Sequence, residues 1–149
     1  MNYTTATQTA GVIANDPKLY TVEDLKTIMQ EAKTAASIAA QSFLDDWTAS
    51  TGGNQYGEPM YCGFAWVNIY GIKGNTKLGR AMKAAGYTKS YDGSLQIYNP
   101  AGYGGQSMDV KEAGARAAAQ VFTNYGFTAY MGSRADWYSR LGWWEDCVG

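Results

Sequence analysis

Histidine is missing from this chain of 149 residues. Its absence removes the usual general base near neutral pH, the commonest metal ligand, and every Ser/His or Cys/His catalytic pair. Charge is scarce too: charged residues make up 17%, and 12 Lys plus Arg nearly balance 13 Asp plus Glu, for a net charge of -1. No global field would draw such a chain to DNA or to acidic lipid, so a nucleotide or nucleic-acid site has to be local. The two cysteines, Cys62 and Cys147, form no CxxC. Zinc is therefore not expected, and the pair reads as free thiols in a reducing compartment. The opening residues "MNYTTATQTAGVIANDPK" have no basic n-region and no long apolar h-region, and no segment approaches a membrane span. A cytoplasmic protein without membrane contact is expected.

What is present is aromatic and apolar. Hydrophobic residues make up 46%, with 12 Tyr and 5 Trp, so some rings must lie at the surface of a single domain. Residues 1–20 read as a loosely ordered arm and 21–149 as the domain. Thr21 with Asp24 reads as the start of a helix. Leu25, Ile28, Met29, Ala32, Ala36, Ala39, Ala40 and Phe43 then recur at helical spacing to about Trp47. "FAWVNIY" alternates like a strand; "TKLGRAMKAAG" is a short helix ending at Gly86; Asp92-Gly93 marks a hairpin. "MDVKEAGARAAAQVFTNYG" is a helix with Asp109 near its start and Gly126 at its end, "FTAYM" a strand, and "ADWYSRLGWWED" a terminal helix. Between about 63 and 132 the order strand, helix, strand, strand, helix, strand is the split βαβ or ferredoxin-like pattern. The expected fold is α+β: an antiparallel βαββαβ sheet with a long N-terminal helix and a C-terminal helix added.

Chemistry could sit in two places. The first is a pair of glycine-rich loops, each feeding a helix N-terminus, where free N–H groups and the helix dipole favour an anion. Taken as parallel central neighbours, the first and third strands would lay these loops side by side. Lys73, Gly74, Asn75, Thr76 and Lys77 on one, with Tyr103, Gly104, Gly105, Gln106 and Ser107 on the other, would then hold a phosphate. Gly74 to Gly79 has GxxxxG spacing, but Arg80 and Ala81 stand where a P-loop needs Lys and Ser/Thr. "GIKG" matches the KH-domain GXXG, yet follows a strand where that fold needs a helix. Taken alone, the first loop reads as a strand-to-helix turn.

The second place is the sheet face turned from the helices. Alternation assigns Ala65, Val67, Ile69, Leu95, Ile97, Phe127, Ala129 and Met131 to the core. Phe64, Trp66, Asn68, Tyr70, Gln96, Tyr98, Thr128 and Tyr130 are left on the other side. Phe64, Trp66, Tyr70, Tyr98 and Tyr130 are candidates for stacking bases in the manner of RRM domains, which also bring basic residues that this face lacks. Cover by the N-terminal helix, by the Trp-rich C-terminal helix or by another subunit explains the same rings as an interface. Catalytic sets are thin. Asp109, Glu112, Asp136, Glu145 and Asp146 sit near expected helix ends, where capping explains them, and Ser133 beside Arg134 reads as the N-cap of the last helix. No catalytic residue, metal ligand or cofactor is assigned.

The strings "CGFAWVNIYGIKGNTKLGRAMKAAGY", "IYNP", "DVKEAGARAAAQVFTNYGFTAY" and "GSRAD" resemble a group of small uncharacterised proteins of tailed bacteriophages, over roughly residues 62–136. The resemblance implies expression in the cytoplasm of an infected bacterium, or a place in the virion, and carries no functional residues. The leading expectation is a non-enzymatic accessory protein that holds a nucleotide or nucleic-acid backbone at the paired loops. A structural or host-interaction protein using the aromatic face, as a homo-oligomer or with a host or virion partner, is the alternative. A small enzyme on a nucleotide-like substrate such as S-adenosylmethionine is the third.

Overall fold

Thr21 and Asp24 form a reciprocal capping box: the Asp24 N–H donates to Thr21 Oγ1 (3.1 Å) and the Thr21 N–H to Asp24 Oδ2 (3.0 Å). From it runs helix α1, Val22–Thr51, whose stripe Leu25, Ile28, Ala32, Ala36 and Ala40 is buried. In the computed structural model, residues 16–51, 62–90, 92–105 and 107–135 are described. The remaining elements are β1 (Gly63–Tyr70), α2 (Lys77–Ala84), β2 (Thr88–Lys89), β3 (Leu95–Tyr98), α3 (Met108–Asn124) and β4 (Thr128–Ala135). Gly86 and Gly126 end α2 and α3 with φ of +107° and +93°, backbone that side chains rarely adopt. The hairpin at Asp92-Gly93 forms as expected, closed by the Ser90 N–H on the Ser94 carbonyl (2.7 Å).

The sheet is antiparallel, ordered β2-β3-β1-β4. Its inner face carries Ala65, Val67, Ile69, Leu95, Ile97 and Ala129, which join Met82, Phe122 and Leu25, Ile28, Ala32 and Ala36 of α1 in one core. The α+β class and the alternation of the strands are therefore as the sequence indicates. α3 packs on β1 and β4, and α1 packs on α3 and α2. The long helix thus lies among the helices and does not cover the aromatic face. The expected C-terminal helix, with Asp136, Glu145 and Asp146, falls outside the described residues, as do residues 1–15.

Four expectations need correction. β1 and β3 are neighbours but run antiparallel, with Trp66 opposite Tyr98 and Ile69 opposite Leu95. The reason is topological: a crossover helix preserves strand direction, and the β2–β3 hairpin reverses it. β4 continues to Ala135, so Ser133 is no helix cap; it lies opposite Ala65 in the ladder, and its hydroxyl donates to Glu112 Oε2. Residues 16–20 are not loose: Pro17–Leu19 form a 3-10 turn, and buried Tyr20 donates to the Tyr125 carbonyl (2.6 Å). Burial, reinforced by Asp24 and Asp16, pushes the Tyr20 phenol up to about 12. Cys62, finally, is disulfide-bonded and not a free thiol; the chain's other cysteine, Cys147, lies outside the described residues.

Candidate functional site: a basic end and an aromatic face

The loop after β1 is built by backbone bonds around one carbonyl. Lys73 C=O accepts from the Thr76 N–H (3.1 Å) and the Thr76 hydroxyl (2.6 Å), and Thr76 Oγ1 accepts the Gly79 N–H (3.1 Å) as N-cap of α2. Gly79 makes this fold possible. A Cβ there would run into the Lys73 carbonyl and stand 3.0 Å from Gly74 Cα, both backbone. Arg80 Nη1 donates to the Asn75 carbonyl (2.6 Å), and the Lys83 ammonium lies over Gly74. The loop is therefore a firm turn whose exposed side chains are Lys73, Asn75, Thr76 and Lys77.

Two grooves flank its Gly71–Lys73 segment. One, of about 470 Å³, is lined by Lys18, Gly71, Ile72, Lys73, Thr76, Lys77 and Leu78. The other, of about 420 Å³, lies between this loop and the hairpin and is lined by Tyr70, Gly71, Ile72, Lys73, Gly74, Lys89, Asp92, Gly93 and Ser94. Asp92 is the one carboxylate among these lining residues. The Ser94 hydroxyl (2.7 Å) and N–H (3.0 Å) hold its carboxyl below the ordinary value. The ion pairs among the described residues, Lys26–Glu23 and Arg116–Glu112, are elsewhere. Lys18, Lys73, Lys77, Arg80, Lys83 and Lys89 thus make one end of the molecule basic despite the net charge of -1. The chain carries a signal for this: no acid occurs between Glu58 and Asp92.

The second glycine-rich loop is different. The Asn99 N–H donates to the Ala65 carbonyl (3.0 Å), so this loop leaves the sheet beside the start of β1. Antiparallel pairing therefore separates Gly74 from Gly104 by most of a strand, about 20 Å at roughly 3.3 Å per residue. Ser107 is 1% exposed, caps α3 through the Val110 N–H (3.4 Å), and bridges to Cys62. It cannot meet a ligand. Tyr103 accepts from Asn99 Nδ2 at its backbone carbonyl (3.0 Å), Gly104 is exposed, Gly105 is half-buried, and Gln106 lies outside the described residues. Of the ten residues assigned to paired loops, then, Lys73, Gly74, Asn75, Thr76 and Lys77 stand together, and Tyr103, Gly104, Gly105 and Ser107 do not join them.

The outer face of the sheet is left uncovered by the described residues. Phe64 and Tyr70 are each 38% exposed, Tyr98 55% and Tyr130 63%, with Trp66, Asn68 and Gln96 half-buried. The rings pair diagonally, Phe64 with Tyr98 (centroids 6.2 Å) and Tyr70 with Tyr130 (6.1 Å). Trp66 lies against Gly132, opposite it on β4, where a side chain would collide with the indole. Because β4 runs past Gly132, Arg134 stands opposite Phe64 and is exposed. The face is therefore not without basic residues, as its sequence had suggested.

A further polar cluster joins Ser133, Glu112, Arg116 and Asp109 along α3. Burial, then Glu112, raises the Asp109 carboxyl, and Arg116 opposes the shift. Among the described residues no group of three or more Asp, Glu or Cys could hold a metal, and no helix is long and apolar enough to cross a membrane. Comparison of the chain with family models, curated proteins and solved structures finds no match.

Proposed function

We propose that this protein binds a phosphate-bearing ligand, a nucleotide or a nucleic-acid backbone, at the basic end of its sheet. One observation carries the reading. Lys18, from the 3-10 turn ahead of α1, converges with Lys73 and Lys77 on a groove that no carboxylate among the described residues lines. Uncompensated cations around a concave surface lower the energy of an anion there, and the first amides of α2 at the positive end of its dipole add to the same field. The ligand is held by this one loop and not by two. The strand order, with α2 and α3 on one face, is read as ferredoxin-like, and the setting as an accessory protein in the phage-infected cell or its virion.

Calorimetric titration with inorganic triphosphate, a nucleotide panel and short oligonucleotides tests the reading. The pair Lys73→Ala with Lys77→Ala is expected to weaken binding at least tenfold and to flatten its salt dependence by one to two counterions. Failure of every polyanion to bind the native chain, or an unchanged affinity in the double variant, refutes it.

A further inference from the structure

The basic end and the aromatic face are one surface, and we infer that its occupant is a single-stranded polynucleotide whose bases stack on the sheet while its phosphates lie at the two ends. The inference rests on the phosphate reading above and specifies its ligand. Tyr70 joins the two regions: it belongs to the open face and also lines the groove that contains Lys73 and Lys89. From it the rings cross the sheet diagonally, Tyr130 beside Tyr70 and Tyr98 beside Phe64, with Arg134 exposed opposite Phe64. The pattern is a cluster of cations, then rings, then one further cation, Arg134.

That order selects among occupants. A free nucleotide needs one phosphate site and one ring, and leaves the far rings and Arg134 unused. A duplex hides its base faces and has nothing to offer the tyrosines. A second copy of this chain would set basic end against basic end or against Arg134, whichever way it lay. A single strand presents alternating stackable faces and negative charge along its length, and every base has a π-face, so the contact is tolerant of sequence. Between the strand-bearing rings, Asn68 and Gln96 face each other across β1 and β3. They supply the amide groups able to read base edges.

Fluorescence anisotropy with labelled eight-nucleotide single-stranded RNA and DNA, and with a duplex of the same sequence, tests the inference on the full chain. Single strands are expected to bind at least tenfold tighter than the duplex. Tyr130→Ala and Tyr98→Ala are each expected to weaken them by about tenfold, with Tyr98→Phe retaining the native affinity. Both tyrosines are exposed, so circular dichroism should show an unchanged fold. Comparing the RNA and DNA arms identifies which strand is preferred. Equal affinity for duplex and single strand, or loss on Lys73→Ala with no effect of either tyrosine, overturns the inference and leaves the phosphate reading standing. Absence of any polyanion binding overturns both. Dimerisation through Tyr130, seen by sedimentation and abolished by Tyr130→Ala, also overturns it.

Discussion

The two glycine-rich loops look alike as strings and differ in every respect that matters for binding. Each follows a strand, each leads into a helix, and each supplies a hydroxyl N-cap, Thr76 for α2 and Ser107 for α3. The first loop keeps its cap at the surface among cations and opens on two grooves. The second buries its cap against Cys62 and turns Asn99 Nδ2 inward onto the Tyr103 carbonyl. A loop of this kind is thus only a connection; whether it becomes a site depends on what the rest of the fold brings beside it. Here the fold brings Lys18 from before α1 and Lys89 from β2 to one loop. At the other end of the sheet it brings a disulfide-bonded cysteine.

The largest test of this difference is steric. Gly79→Ala places a methyl group against the Lys73 carbonyl, where only backbone could yield. A loss of about 2–3 kcal/mol is expected, which lowers the thermal midpoint by roughly 5–10 °C. Gly104→Ala meets nothing within 4 Å; it should change stability by less than about 0.5 kcal/mol. Thermal denaturation of the two variants makes the comparison. Equal midpoints would mean that the first loop is not held down on α2, and the grooves beside it would lose their definition.

The caps give a smaller contrast, and it separates stability from binding. Thr76→Ala and Ser107→Ala each remove the acceptor of one helix N–H, at a cost of about 1 kcal/mol. Only Thr76→Ala should also weaken triphosphate binding, by about threefold, because only that cap shapes a groove lined by lysines. Urea denaturation reads the first effect and titration calorimetry the second. A matching loss of affinity in Ser107→Ala would show that the ends of the sheet are not independent.

How much of this was legible depended on range. The capping box at Thr21, the glycine stops at 86 and 126, the hairpin at Asp92-Gly93 and the two faces of β1 are all set within a few residues, and they read correctly from the chain. The antiparallel relation of β1 and β3 is also implied by the chain, since one crossover and one hairpin determine it, and it sets the two loops apart. The place of Arg134 was hidden by Gly132-Ser133, a pair that ordinarily signals a turn. In the fold Gly132 stays in the strand because the Trp66 indole occupies the space its side chain would need. Lys18 was hidden by distance: its arrival at the groove follows from the docking of Tyr20 on Tyr125, which no local pattern announces.

The finest contrast between the two ends is in their carboxylates, and it has a sign. Asp92, at the basic end, is fully exposed, and the Ser94 hydroxyl and N–H stabilise its charged form, so its folded pKa lies below the unfolded value. Its contribution is present above the unfolded pKa and is lost as pH falls through the folded one. Asp109, in the first turn of α3, is raised by burial and by Glu112, so the folded chain favours its protonated form. That contribution is full below the unfolded pKa and is lost as pH rises through the folded one. Carboxyl carbon shifts followed by NMR between pH 2 and 7 should therefore show Asp92 titrating below the ordinary aspartate value of about 3.9 and Asp109 above it. Ser94→Ala should return Asp92 toward the ordinary value and leave Asp109 unmoved; Glu112→Gln should lower Asp109 and leave Asp92 unmoved. Movement of both carboxyls in either variant would couple the two ends electrostatically, and the basic groove could no longer be treated as a field of its own.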